Sequence, residues 1–243
     1  MSMKILRIGL LSAALACQPE RNMDAPQPGS VPPADDANGQ TGADAADPAR
    51  GKVTVLFFGT SLTAGYGLDP AEAFPNLISQ KAAAAGLPIT AVNAGLSGET
   101  SAGALRRIGW TLQRRADIVV LETGGNDALR ALDADSLEAN LAGIVSRIRS
   151  VQPAAKILLA VMEAPPNLGA VYTARFRSAY AEVARRNGLT LVPFLLEGVA
   201  GERDLNQPDG VHPNVRGEGI VADNVWRVLR PVVEEVYESR TGG

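Results

Sequence analysis

A chain of 243 residues with 46% hydrophobic content can bury one full core, and its length suits a single domain with some sequence left over. A formal net charge of −3 leaves no basic footprint, which speaks against nucleic acid as a partner, and no polybasic run suggests a membrane surface outside the extreme N-terminus. The single cysteine excludes an internal disulfide, and the single histidine, with no Cys/His cluster beside it, excludes a histidine-rich metal site.

The chain opens like an export signal. Lys4 and Arg7 supply positive charge, residues 8–16 supply a short, mostly apolar stretch, and small residues precede Cys17. This apolar stretch is too short to span a bilayer. Cys17 resembles the acylated first residue of a bacterial lipoprotein, although Ala14 stands where such signals usually carry Leu; the alternative is an ordinary secretory peptide cleaved near Cys17. Either reading makes residues 1–17 the export segment, a signal peptide with Cys17 as its possible lipoprotein cysteine, and places the protein in the bacterial cell envelope, facing the periplasm, with membrane attachment through a lipid in the first case. Residues 18–52 are dominated by Pro, Asp, Ala, Gly, Asn and Gln and lack the apolar surface to offset their ordering entropy, so they are expected to form a disordered linker. The folded domain is then 53–243.

Within it, apolar runs alternate with helical patterns. Residues 53–58 form an apolar run, β-branched and aromatic without alternation, as in a central parallel strand covered on both faces. Gly59 stops it, Ser61 follows, and Gly65 and Gly67 allow a tight turn. Phe74, Leu77, Ile78, Ala82 and Ala85 recur at helical spacing, with Pro75 in the first turn and Gly86 as the stop. A strand over 89–92 comes next, then a helix through Leu105, Ile108, Leu112 and Ala116, then a strand over 118–121. Leu137, Leu141, Ile144, Val145 and Ile148 mark a third helix, which Asp135 and Glu138 are expected to cap. A strand over 157–161 is followed by a helix through Phe176, Tyr180 and Val183 that Asn187-Gly188 ends, and a fifth strand spans 189–192. The last helix carries Val221, Val225, Val228, Leu229, Val232 and Val236, with a kink expected at Pro231. This alternation predicts an α/β fold, a three-layer α/β/α arrangement around an open five-stranded parallel sheet.

Ligands of such sheets gather at the carboxyl ends of the strands. The polar segments fall there: Ser61 after the first strand, NAGLSG at 93–98 after the second, GGND at 124–127 after the third, and DGVH at 209–212 after the fifth. A hydroxyl nucleophile needs a base, and His212 is the only imidazole. Asp209, three residues earlier, can reach that ring through a turn and fix its tautomer. Against this, Asp209-Gly210 and Pro213-Asn214 are ordinary turn formers and His212 could be a simple loop residue. Gly98 can offer a bare backbone N–H and Asn126 a carboxamide N–H to an oxyanion, or both can serve turns and caps. Ser97, Glu99 and Asp127 are assigned to holding these loops, and Glu122 to partnering one of them from the end of the third strand.

The segments GTSLTAGYG, NAGLSGET, ETGGNDALR and DGVHPN, in this order, resemble the SGNH hydrolase family, also called GDSL esterases, and within it the thioesterase I, lysophospholipase and arylesterase group. The resemblance covers residues 53–237. It implies a flavodoxin-like SGNH hydrolase fold with Ser61 as nucleophile, His212 as base and Asp209 as its orienter. It also implies an oxyanion hole made by the N–H groups of Ser61 and Gly98 and the side chain of Asn126, with no metal and no cofactor. Thr60 departs from the Asp that usually precedes the serine. The chain has no G-x-S-x-G, which argues against an α/β-hydrolase elbow. The expected activity is hydrolysis of carboxylic esters or thioesters, with aryl esters, medium-chain esters and lysophospholipids open as substrates and residues 162–169 lining the acyl or leaving-group side. Carbohydrate O-acetyl esters are an alternative on the same fold, and an envelope binding module that has lost turnover is the alternative outside enzymes.

Overall fold

The computed structural model describes residues 52–241; the expected signal, Cys17 and all of the linker before Lys52 lie outside them. The apolar run becomes β1 (Val53–Gly59), and it is followed at once by a single helical turn, α1 (Ser61–Ala64), where the sequence suggests only a tight turn. Gly65 closes that turn in the left-handed conformation, φ 69°. Next come α2 (Phe74–Ala84), β2 (Ile89–Gly95), α3 (Ser101–Thr111), β3 (Ile118–Leu121), α4 (Gly125–Leu129) and α5 (Ala134–Val151). The chain ends through β4 (Lys156–Ala160), α6 (Ala170–Asn187), β5 (Thr190–Val192) and α7 (Val215–Thr241).

All five strands are parallel, in the order β2-β1-β3-β4-β5. The chain steps outward from β1 to β2, then crosses back to β3 and continues to the far edge. With right-handed crossovers this puts α2 on one face and α3, α5 and α6 on the other; α7 packs beside α2. The winding direction reverses between β1 and β3, so the crevice expected to take a ligand lies at their carboxyl ends. β1 and β3 are buried along almost their whole length, as runs dominated by Val, Ile, Leu and Phe require, with Thr54 the one half-buried position. No described helix is long and apolar enough to cross a membrane.

Four sequence expectations need correcting. β2 runs through Gly95, so Asn93, Ala94 and Gly95 are strand residues rather than loop. α3 stops at Thr111 and leaves Ala116 outside, because a residue distant in sequence caps it: Gln152 donates through Nε2 to the carbonyls of Leu112 (2.9 Å) and Arg114 (2.6 Å) and accepts from Ala116 N (2.8 Å). α5 is capped by Asp133, which accepts from Ser136 N (2.9 Å), while Glu138 reaches Arg175 and Arg186 of α6 at 2.6 and 2.7 Å. The buried seam of α7 is Val221, Ala222, Val225, Leu229 and Val233, and Val228, Val232 and Val236, expected on it, are only partly covered; Pro231 lies within the helix on its exposed side.

Candidate active site

The end of β1 is built so that Ser61 projects from a fixed turn. Gly59 admits no side chain, because a Cβ there would collide with Thr63 Oγ1 and Glu122 Oε2. Glu122, buried at the end of β3, takes that space and gathers the donors of the turn: Thr60 N at 2.7 Å, Thr60 Oγ1 at 2.9 and 3.0 Å, and Thr63 Oγ1 at 2.9 Å. Burial pushes its pKa up, and the Thr60 and Thr63 donors oppose that rise. Thr60, the departure from the family pattern, thus ties the position before Ser61 to β3. On the other side, Asn93 donates to Thr63 O (2.8 Å), and Arg107 donates to the carbonyls of Gly59 (3.2 Å) and Ala94 (3.0 Å) from a position 4.1 Å over the Phe58 ring.

The loop before α7 delivers the imidazole. Asp209 Oδ1 accepts from the N–H groups of Val211 (2.9 Å) and His212 (3.0 Å), a local turn that brings Oδ2 to 2.7 Å from His212 Nδ1. His212 Nε2 lies 2.9 Å from Ser61 Oγ. The hydrogen bond from His212, followed by the two backbone N–H groups, lowers the Asp209 carboxyl to about 2, so it stays ionised and can only accept. Nδ1 must then carry the proton in neutral imidazole, and Nε2 presents its lone pair to the Ser61 hydroxyl. Gln207 anchors the loop through its N–H to His212 O (2.7 Å) and through Nε2 to Tyr66 O (2.6 Å) and Pro213 O (2.9 Å). The Tyr66 ring lies 4.7 Å from the imidazole, centroid to centroid.

Two further loops complete the rim. Gly98 holds φ at 77°, a conformation side chains disfavour, and its carbonyl accepts from Arg130 Nη2 at 3.0 Å. Asn126 spends one Nδ2 hydrogen on Glu99 O (3.0 Å), which leaves the second for the cavity it lines. The N–H groups of Ser61 and Gly98 have no acceptor among the described residues. Glu99 and Asp127 hold the loops as expected, Glu99 by pairing with Arg107 (2.6 Å) and Asp127 by accepting from Ser101 N (2.8 Å) and Oγ (2.6 Å). Ser97, expected to do likewise, instead lines the cavity.

Ser61, Gly98, Asn126 and His212 therefore share one cavity of about 310 Å³, and Asp209 stands behind the imidazole. Its wall is largely apolar, from Leu62, Tyr66, Met162, Pro165, Leu196 and Val211. Of residues 162–169 only Met162, Glu163 and Pro165 reach it. Leu129, Leu196 and Val211 escape sequence reasoning, since nothing in their local pattern separates a cavity wall from a core or surface position. Tyr66 is the one that could be found, as an aromatic inside the glycine-rich segment after β1.

The profile of the GDSL-like Lipase/Acylhydrolase family matches residues 57–220. Esterase TesA of Pseudomonas aeruginosa is 38% identical over 181 residues, covering 74% of this chain and 89% of the relative. Thioesterase 1/protease 1/lysophospholipase L1 of Escherichia coli is 33% identical over 181 residues, covering 74% and 85%. Among solved structures, AlinE4, a SGNH-hydrolase family esterase, superposes with a TM-score of 0.63 at 37% identity, covering 76% of this chain and 96% of that one.

Proposed function

This chain belongs to the GDSL-like Lipase/Acylhydrolase family and is a serine hydrolase of carboxylic esters, and from that premise we propose that Ser61 is its nucleophile, His212 the general base and Asp209 the group that orients the ring. The single observation that carries this assignment is the 2.9 Å approach of His212 Nε2 to Ser61 Oγ across 151 residues of chain. Ser61 Oγ attacks the acyl carbon as its proton passes to Nε2, and the ionised Asp209 stabilises the imidazolium. The oxyanion is held by the N–H groups of Ser61 and Gly98 and by the remaining Asn126 amide hydrogen. The carbonyl–leaving-group bond breaks, the alcohol or thiol departs with the proton from Nε2, and water releases the acid by the same steps in reverse.

The apolar wall supports an uncharged acyl chain rather than a polyol, which favours short to medium acyl esters, aryl esters, lysophospholipids or thioesters over a carbohydrate acetate. Turnover that falls sharply from acetyl to butyryl p-nitrophenyl esters would reverse that preference. A fluorophosphonate probe tests the assignment itself. It should label the folded protein at Ser61 and fail on Ser61→Ala; a folded wild-type chain that neither reacts nor hydrolyses a short p-nitrophenyl ester would overturn the catalytic reading in favour of a binding module.

Export through residues 1–17, lipid attachment at Cys17 and a linker over 18–52 would place this domain in the cell envelope on a tether. Mass spectrometry of the mature N-terminus tests this: an unmodified cysteine would end the lipid proposal.

A further inference from the structure

The fold brings together a basic surface that the sequence keeps in two pieces. Residues 101–116 contain Arg106, Arg107, Arg114 and Arg115 and no carboxylate; residues 139–156 contain Arg147, Arg149 and Lys156 and again none. These stretches include α3 and the greater part of α5, which pack side by side on one face of the sheet. Trp110 stands among them 72% exposed, one helical turn from Arg106, and Arg147 lies across Gly109 beside it. Val151 adds a second apolar side chain, 44% exposed. The side chains of Arg106, Arg114 and Arg147 have no ion-pair or hydrogen-bond partner among the described residues, whereas the bordering carboxylates are turned inward: Glu99 (6% exposed) on Arg107 and Asp117 (8% exposed) on Arg240. In a chain of net charge −3, an exposed indole on a surface that carries three unpaired guanidinium groups is a local inversion of charge.

We propose that this surface of α3 and α5 docks on an anionic bilayer, with Trp110 entering the headgroup layer and Arg106, Arg114 and Arg147 contacting lipid phosphates. Indole is suited to a boundary that is apolar on one side and wet on the other, and guanidinium to phosphate. Taken with the proposed lipid attachment at Cys17, on which this step rests, the place where the described chain begins favours a bilayer over another polyanion. Lys52 O accepts from Arg240, Arg240 pairs with Asp117, and Arg115 lies 3.7 Å from the same carboxylate, so the N-terminal segment joins the domain at this end of the sheet. Ser101 begins α3 beside the oxyanion loop and Trp110 sits near its other end, about 14 Å further along the axis. The docked face is therefore remote from the cavity mouth, which is left open to substrate.

Trp226→Phe in the full chain leaves Trp110 as the sole indole and makes the test site-specific, whatever the N-terminus does. With vesicles of equal parts phosphatidylcholine and phosphatidylglycerol, its emission should shift to the blue and be quenched by brominated acyl chains, and salt should reverse both effects. Pure phosphatidylcholine should do neither. Replacing Arg106, Arg114 and Arg147 together by Gln should weaken the response about 100-fold, about fivefold for each cation, with hydrolysis of a soluble ester unchanged, so the outcome is independent of whether Ser61 is the nucleophile. Emission indifferent to anionic vesicles, or a triple variant that responds like the parent, would overturn the proposal; a shift produced equally by an oligonucleotide, without quenching from the acyl chains, would overturn it in favour of nucleic acid.

Discussion

At the carboxyl ends of the strands a cavity of about 310 Å³ contains Ser61, Asn126 and His212; at their amino ends a hollow of about 640 Å³ is lined by Leu112, Asp117, Gln152, Lys156 and Arg240. Most of the polar groups that line the larger one are already bonded. Asp117 accepts from Thr54 N (2.7 Å) and pairs with Arg240, Lys156 pairs with Glu235 (2.6 Å), Gln152 caps α3, and Ser239 donates to its own helix at Val236 O (2.7 Å). The smaller one keeps capacity in hand: among the described residues the N–H groups of Ser61 and Gly98 have no acceptor, and the Ser61 hydroxyl has only the His212 imidazole as hydrogen-bond partner. Volume therefore does not choose the reactive end of this fold. Groups left with something still to bond, facing one space, do.

The most severe way to break that contrast is to remove the proposed base. His212→Gln should lower kcat/KM on a short p-nitrophenyl ester by about 10⁴- to 10⁶-fold, because no second histidine can stand in. A folded variant within tenfold of the parent would show that the proton goes elsewhere. Asp209→Asn should cost about 10³-fold, less than the roughly 10⁴ seen when such a carboxylate is buried, because Asp209 is 42% exposed and Gln207 also holds the loop. If the loss is under tenfold, the loop backbone alone orients the imidazole. Asn126→Ala should cost about 10²-fold in kcat with little change in KM, as expected for a donor that acts chiefly on the oxyanion. A change confined to KM would place Asn126 on the substrate instead.

How much of this was legible beforehand depended on whether the cause was local. The parallel strands could be read because β1 and β3 are buried on both faces and so carry no polar alternation, and the four polar segments could be placed because each lies at or beyond the carboxyl end of a strand, the second beginning inside β2. The end of α3 could not be read, since its cap is Gln152, some forty residues away and across a helix pair. Neither could the role of Thr60, which depends on Glu122 arriving from β3. The basic surface was invisible for the same reason: neither α3 nor α5 is polybasic alone, and only packing them together concentrates the charge.

One further carboxylate separates the stability of the reactive end from its chemistry. Glu218, buried in the first turn of α7, accepts from Phe74 N at 2.7 Å and so ties α7 to α2. Burial lifts its pKa from 4.5 to about 7, the Phe74 donor opposes that rise, and the Glu122 charge adds to it. Below pH 4.5 the carboxyl is protonated in both folded and unfolded chains and its contribution to stability is intact. Between 4.5 and about 7 the unfolded chain loses the proton while the folded one keeps it, so stability falls as pH rises; above about 7 both are ionised and the loss is complete, about 3 kcal/mol by linkage. Glu218→Gln cannot ionise and should escape that loss. Its melting temperature relative to the parent should rise by about 6–12 °C between pH 4.5 and pH 8, while turnover at pH 8 stays unchanged because Glu218 does not line the cavity. A difference in melting temperature that is the same at both pH values would mean that Glu218 is already charged in the folded protein, stabilised by the start of α7 and the Phe74 N–H despite its burial.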